Sequence, residues 1–134
     1  MFVDACAIIS IFTGEDTACS YEDALVKSAS PWTSILAAWE AIIILSRSDQ
    51  LNCPYSVSEL TVREWLLERN IALRETHFTS QALSYAVAAA QKHGIGKKGL
   101  SNFDCFHYAY AKADSTSLLT LDKKLRETDV LTLP

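Results

Sequence analysis

Short apolar runs alternate with longer helical stretches along this chain of 134 residues, and that alternation constrains its fold most strongly. Apolar runs of strand length predict strands at residues 2–3, 32–34, 71–75, 117–121 and 130–133. Helical periodicity and helix breakers predict helices at residues 5–12, 15–29, 35–47, 58–70, 79–93 and 103–114, with a helical turn from residue 122. Because strands that alternate with helices form parallel sheets, we expect an α/β fold with a small, mostly parallel β-sheet flanked by α-helices on both sides.

Several residues near the predicted helix ends have the chemistry of helix caps. Asn102 is expected to cap the helix at residues 103–114, and Gly94 to end the helix at residues 79–93. Glu15 and Asp16 are expected in the first turn of the helix at residues 15–29, where the helix dipole favours negative charge.

The composition is that of one globular domain over residues 1–134, with 49% apolar residues, a net charge of −4 and an isoelectric point of about 5.3. An acidic chain argues against a protein that binds nucleic acid mainly by neutralising phosphates, unless its acids hold cations that reverse the local charge. The cysteines form no C-x-x-C pair, so we expect reduced thiols. The N-terminus lacks the positive charge of a signal peptide, and the longest apolar stretch, residues 35–45, is too short to span a bilayer. We therefore expect a soluble, cytoplasmic protein with no membrane contact.

Glu40 is the acid that fits its surroundings least. In a helix at residues 35–47 it shares a face with Leu36, Ala37, Ile43 and Ile44, which should be buried. An unpaired carboxylate there would cost several kcal/mol or take up a proton. Glu40 therefore needs a basic partner, a position at the rim of the core, or a metal ion.

Three further acids occupy positions with two interpretations. Asp4 follows the first predicted strand, Asp122 follows the strand at residues 117–121, and Asp104 begins a helix after a glycine-rich loop. Each could simply cap a helix or a turn. However, the carboxyl ends of parallel strands form the ligand crevice of such sheets. Converging carboxylates require bound cations, and hard oxygen ligands suit Mg²⁺ or Mn²⁺.

Four segments of the chain resemble the motifs of PIN-domain ribonucleases, in particular toxins of the VapC kind from type II toxin–antitoxin systems. They are residues 2–9 (FVDACAII), 39–40 (WE) inside an apolar helix, 100–109 (LSNFDCFHYA) and 118–122 (LLTLD). Their order and spacing match over nearly the whole chain, and the segment at residues 102–109 is the most specific. The resemblance implies a single PIN domain over residues 1–134 with a compact parallel sheet.

The resemblance also implies an activity, a metal and partners. The activity is Mg²⁺- or Mn²⁺-dependent endoribonuclease cleavage of RNA, and the partners are a VapB-like antitoxin that inhibits the toxin and a second copy of the chain in a homodimer. Asp4, Glu40 and Asp104 match the strongest acidic positions of the family, as catalytic residues and metal ligands. Asp122 matches the fourth, although Asp129 is close behind it, and Cys6 replaces a small hydroxyl residue found in many relatives.

Basic residues near the acids are candidates for binding RNA. Lys92, Lys97 and Lys98 precede the helix of Asp104, and we expect them to contact phosphates, although exposed lysines often serve only solubility. Lys123 and Lys124 directly follow Asp122. The loop at residues 94–99 lacks the spacing of a P-loop.

The histidines and one tryptophan have less certain roles. His77, His93 and His107 do not cluster at ligand spacing; His107, one turn from Asp104, either lines the pocket or packs elsewhere. Trp65, with Leu66 and Leu67, either belongs to the core or forms part of a groove for a partner helix.

Two other classes compete with the nuclease interpretation. A PIN-fold module that binds RNA or protein without cutting should have at least one broken acidic position, and none is obvious here. A phosphate-accepting receiver-like domain needs paired acids on its first strand and a lysine on its last, and neither stands in the right place. The sequence therefore favours the nuclease.

Overall fold

The computed structural model describes residues 1–75 and 79–134, and within them five strands form one sheet with every pairing parallel. The strands are β1 Phe2–Val3, β2 Trp32–Ser34, β3 Ala72–Arg74, β4 Leu118–Leu119 and β5 Thr132–Leu133. Their order across the sheet is β3-β2-β1-β4-β5, so β1 lies at the centre. The expected parallel α/β sheet is confirmed.

Helices connect the strands and cover the sheet. They are α1 Ala5–Thr13, α2 Ala18–Val26, α3 Ile35–Leu45, α4 Tyr55–Glu68, α5 Thr79–His93 and α6 Asn102–Ala113, with a 3₁₀ turn at Leu125–Glu127. α1 to α4 pack against one another, and α5 packs against α6. Because parallel crossovers are right-handed and their direction across the sheet reverses after β3, the two groups lie on opposite faces, as expected. No helix in residues 1–75 or 79–134 is long and apolar enough to cross a membrane.

The central strand β1 and its neighbour β4 are the most deeply buried part of the sheet. Phe2 and Val3 of β1, and Leu118 and Leu119 of β4, are fully buried. The ring of Phe2 meets Trp32 of β2 edge-on, with 4.8 Å between ring centroids. By contrast, β3 is exposed along its length at the edge of the sheet. The burial of β1 fixes the position of the residue that follows it, Asp4.

Two helix starts differ from the sequence-based expectation. α2 begins at Ala18, so Glu15 and Asp16 lie in the turn before the helix. The prediction that they lie in its first turn is wrong. The hydroxyls of Thr17 and Ser10 hydrogen-bond at 2.7 Å and fix that turn. α4 begins earlier than expected, at Tyr55, where Pro54 suits the start of a helix.

Ser58, the first residue of the predicted helix, lies inside α4. Its side chain is polar but buried, at 1% exposed. There its hydroxyl accepts a hydrogen bond from Ser46 at 2.8 Å and contacts the thiol of Cys53 at 3.1 Å. The strand predicted at residues 71–75 is confirmed at Ala72–Arg74, and His77 lies outside the described residues.

Candidate active site

Asp4 lies at the carboxyl end of the central strand, and its side chain is buried. The β1–β4 register pairs Phe2 with Leu118 and Val3 with Leu119, so the next residues, Asp4 and Thr120, face each other. The Thr120 hydroxyl donates a hydrogen bond to Asp4 Oδ2 at 2.7 Å. The thiol of Cys6 donates to the same oxygen at 2.9 Å. Cys6 follows Asp4 by two residues. The register of the sheet therefore fixes one oxygen of Asp4 from two sides.

A chain of hydrogen bonds keeps Cys6 and Thr120 oriented as donors. The Leu121 N–H donates to the Tyr21 hydroxyl at 2.8 Å, which leaves the Tyr21 proton free to point at Cys6 Sγ, 3.3 Å away. Burial is the largest cause that raises the pKa of Cys6, and the charge of Asp4 raises that pKa further. The thiol therefore stays protonated. Cys6 is thus a neutral hydrogen-bond donor to Asp4.

His107 lies between Asp4 and Glu40 and is fully buried. Its Nδ1 is 2.7 Å from Asp4 Oδ1, and its Nε2 is 3.4 Å from Glu40 Oε2. Neither ring nitrogen meets the angular geometry of a hydrogen bond, so these contacts are close ion pairs rather than directed hydrogen bonds. When protonated, the imidazole supplies positive charge between two carboxylates.

The pKa values of this group follow from burial and mutual charge. Burial alone would lower the pKa of His107, but Asp4, Glu40 and Asp104 offset it, and the net shift is upward. Burial would raise the pKa of Asp4, yet His107 and the hydrogen bonds to Asp4 lower it overall. For Glu40, burial raises the pKa to about 7 despite the attraction of His107, with Asp4 and Asp104 adding to the rise. Glu40 can therefore change protonation near neutral pH.

Asp104 joins the group from the first turn of α6. Ser101 caps that helix, and its hydroxyl accepts a hydrogen bond from the Asp104 N–H at 3.0 Å. In return Asp104 Oδ2 accepts the Ser101 N–H at 2.6 Å, which completes a capping box. The prediction that Asn102 caps the helix is wrong, because Asn102 is the first residue within it. We call Asp4, Glu40, Asp104 and His107 the acidic cluster.

Asp122 lies outside this cluster. β4 ends at Leu119 rather than at residue 121, so Thr120, not Asp122, occupies the position beside Asp4. Asp122 Oδ1 accepts the N–H groups of Lys124 at 2.8 Å and Leu125 at 3.1 Å, and so caps the 3₁₀ turn. Its link to the cluster is its own N–H, which donates to Thr120 Oγ1 at 3.1 Å. The expectation that Asp122 stands directly at a strand end was wrong.

Asp129, the other candidate for the fourth acid, has partners of its own. It accepts a hydrogen bond from the Tyr108 hydroxyl at 2.9 Å and forms an ion pair with Lys112. Its side chain is 54% exposed, in contrast to the buried carboxylate of Asp4. Asp129 therefore belongs to a surface ion pair.

The lysines expected to contact phosphates are exposed. Lys92 lies in the last turn of α5, and Lys97 and Lys98 lie in the loop that leads to α6. Lys124 organises this loop, because its Nζ donates to the carbonyl oxygens of Lys97 at 3.0 Å, Gly96 at 3.4 Å and Gly99.

Two glycines define the shape of the same loop. Gly94 ends α5 with φ +73°, a conformation that favours glycine, as expected from the sequence. Gly99 packs so closely that an added Cβ would overlap the Gly94 carbonyl oxygen. The loop that presents Lys97 and Lys98 is therefore fixed at both ends.

The chemistry of the cluster suits a hard divalent cation. Its oxygen ligands are carboxylates, and Glu40 Oε2 is a buried oxygen without a hydrogen-bond partner in the described residues. In residues 1–75 and 79–134, however, no three His, Cys, Asp or Glu side chains already stand in a metal-binding arrangement. The acids fit the ion in kind, and side chains of the cluster would have to rearrange to hold it.

The structure also revises the interpretations of less specific residues. Trp65 and Leu66 are core residues, 8% and 3% exposed, and Trp65 packs on Phe12. His107, left open by the sequence, lies at the centre of the cluster. Thr120 was missed, although its place beside Asp4 follows once β4 is known to end at Leu119.

A parallel five-stranded sheet with an acidic cluster at the carboxyl ends of its strands defines a small α/β domain with a candidate metal site. The sequence model of the family described as PIN domain matches residues 1–131, and the chain belongs to the PIN-domain family. Its fold is similar to that of VapC20 of Mycobacterium tuberculosis, described as a sarcin-ricin loop cleaving toxin. That similarity has a TM-score of 0.71 at 14% identity and covers 99% of this chain and 98% of that one. None of the curated proteins compared matches the chain.

Proposed function

We propose that the protein is a Mg²⁺- or Mn²⁺-dependent endoribonuclease and the toxin of a VapBC-type toxin–antitoxin pair. The observation that carries the proposal is that Asp4 and Glu40 both contact the buried His107, and that the charge of Asp104 also acts on it, although the four residues come from distant parts of the sequence. Carboxylates near one another repel, and a bound cation would offset that repulsion. Membership of the PIN-domain family and the similarity to an RNA-cleaving toxin support the same function.

Asp4, Glu40 and Asp104 are the residues that would hold the metal. When bound, a divalent ion lowers the pKa of a coordinated water and offsets negative charge on the phosphodiester. Cys6 and Thr120 hold Oδ2 of Asp4 in place, and the Ser101 N–H holds Oδ2 of Asp104. These hydrogen bonds orient the carboxylates of Asp4 and Asp104 before substrate arrives.

Two members of the cluster can hold protons while no cation is bound. Burial raises the pKa of Glu40 to about 7, so Glu40 can be protonated near neutral pH and would release that proton when a cation binds. His107, whose pKa is raised, keeps positive charge beside Asp4 when no cation is bound. We propose Asp122 as a supporting residue, which orients Thr120 through its N–H, rather than as a direct ligand.

The RNA would reach the cluster past exposed basic residues. Lys92, Lys97 and Lys98 supply positive charge on an otherwise acidic chain, and we propose that they contact backbone phosphates. Lys124 contributes indirectly, because it fixes the loop that carries two of them.

An antitoxin needs an apolar surface on the toxin. The groove between α3 and α4 is lined by apolar side chains, and Ile35, Tyr55 and Leu73 are exposed there. We propose this groove, which Leu66 helps to line and Trp65 does not, as the surface on which a VapB-like segment would bind. Homodimer formation is part of the same proposal and is measured by sedimentation of the purified chain.

The test is cleavage of total RNA by the purified, partner-free chain in Mg²⁺, in Mn²⁺ and in EDTA. The proposal predicts cleavage with either metal and none in EDTA. Asp4→Asn and Asp104→Asn should each lower the rate by at least about 100-fold, while the exposed control Asp129→Asn should stay within about twofold. Asp122→Asn should give a smaller loss, because its carboxylate caps a turn.

A binding module without nuclease activity is the second candidate. It is favoured if wild type leaves RNA intact with every metal tested, provided that mass spectrometry of the sample shows no bound antitoxin. Equal cleavage by wild type and Asp104→Asn would instead point to a contaminating nuclease.

A further inference from the structure

A pair of aromatic rings joins the two helices that carry Glu40 and Asp104. Trp39 of α3 and Phe103 of α6 are in contact, with ring centroids 5.8 Å apart and an interplanar angle of 37°. Each ring belongs to the residue directly before an acid of the cluster, Glu40 or Asp104. The pair therefore connects the two helices that bring these acids together.

The exposure of Trp39 is unusual within this chain. Its side chain is 49% exposed, whereas the other two tryptophans, Trp32 and Trp65, are 3% and 8% exposed. Phe103 is half-buried and supports one side of the indole. A large aromatic surface left in water next to a candidate reaction site is typical of a binding residue.

The charge of the protein explains why such a surface would be needed. The chain carries a net charge of −4, and Asp4, Glu40 and Asp104 all act electrostatically on His107 at the proposed site. Phosphate neutralisation by a few exposed lysines can then supply only part of the affinity for RNA. Stacking of bases on aromatic rings depends little on charge and works with any base.

We propose that Trp39 and Phe103 form a stacking platform for a base of single-stranded RNA next to the phosphate that is cleaved. The proposal rests on the proposed nuclease function and adds a base-binding subsite to it. A base stacked on Trp39 would hold its nucleotide on the pair of helices that carry Glu40 and Asp104, and so bring the adjoining phosphate towards the cluster. The platform favours unpaired segments, since paired bases are not free to stack on protein rings.

A protein partner is the competing occupant, because Trp39 also lines the apolar groove between α3 and α4. Two observations favour RNA. Phe103, the partner ring of Trp39, is not part of that groove, and both rings are next in sequence to cluster acids. Tyr55 provides a matched control, because it is an exposed aromatic residue of the groove, 62% exposed, with no place in the pair.

The experiment measures binding of a short oligoadenylate in Mg²⁺ to protein carrying Asp104→Asn, which blocks cleavage if the proposed function is right. Tryptophan fluorescence should be quenched by the oligonucleotide but not by an abasic oligomer of equal charge. Trp39→Ala and Phe103→Ala should each weaken binding by roughly tenfold, measured by anisotropy of labelled RNA. Trp39→Phe should keep binding within about threefold while abolishing the quenching, and Tyr55→Ala should leave both unchanged.

The outcomes separate this proposal from the nuclease function. Unchanged binding by Trp39→Ala, or an equal loss in Tyr55→Ala, would overturn the platform even if the wild-type protein cleaves RNA. Quenching and tenfold losses in a chain whose wild type cleaves nothing would support the platform and refute the nuclease. No binding of oligoadenylate would overturn the platform. If Trp39→Ala lost binding to the antitoxin but kept binding to RNA, the ring would belong to the apolar groove between α3 and α4 instead.

Discussion

Breaking the contact between Asp4 and His107 should show how strongly the cluster depends on its own positive charge. Both side chains are at most 4% exposed, and their nearest atoms are 2.7 Å apart. At an effective dielectric constant of about 20, unit charges at that distance attract by about 6 kcal/mol, and desolvation offsets part of this. Removing one partner of a buried pair typically costs about 3–5 kcal/mol, because the other charge remains buried alone.

Asp4→Asn and His107→Leu should therefore each lower the free energy of unfolding by about 3 kcal/mol or more, measured by urea denaturation in EDTA. The double variant should lose at least about 2 kcal/mol less than the sum of the two, since the second change removes an already unpaired group. Asp129→Asn breaks a surface ion pair with Lys112 and should cost less than about 1 kcal/mol. Additive losses within about 0.5 kcal/mol would refute the coupling.

Three further predictions concern the surroundings of the cluster. Because the folded state raises the pKa of Glu40 to about 7 and also raises that of His107, it holds these protons more tightly than the unfolded chain does. In EDTA the free energy of unfolding should therefore fall as pH rises from about 5 to about 8, and Glu40→Gln should flatten that slope. The lowered pKa of Asp4 makes the free energy of unfolding rise with pH, but only in strong acid. Gly99→Ala should destabilise the protein by about 1–3 kcal/mol in urea, because its Cβ would overlap the Gly94 carbonyl oxygen, whereas the exposed Lys98→Ala should not. Tyr21→Phe should cost about 1–3 kcal/mol in the same assay, because it leaves the Leu121 N–H without its acceptor; an unchanged midpoint would contradict this.

The parallel sheet and the unusual position of Glu40 could be predicted because each carries a local signal. The apolar runs at β1 and β4 indicated buried strands, and both are fully buried. Glu40 was recognisable as out of place on an apolar helix face, and the structure gives it the raised pKa that such a position implies. These features depend on sequence neighbours, which periodicity describes well.

Features that depend on long-range pairing could not be predicted. The register of β1 with β4 determines which side chain lies beside Asp4. The predicted end of β4 was residue 121 instead of Leu119, so the prediction put Asp122 where the structure has Thr120. The role of His107 depends on α6 packing against β1, a contact across most of the chain. Element ends are the least certain part of a sequence-based assignment, and here one such end changed a site residue.

The most direct test of the central claim is to identify the ends of RNA cut by the purified chain in Mn²⁺. If water is the nucleophile at the acidic cluster, the products carry a linear phosphate on one end and a free hydroxyl on the other, and none form with Asp104→Asn or in EDTA, which would remove the metal that Asp4, Glu40 and Asp104 would hold. Products with 2′,3′-cyclic phosphate ends, formed equally in EDTA and by Asp104→Asn, would contradict the account.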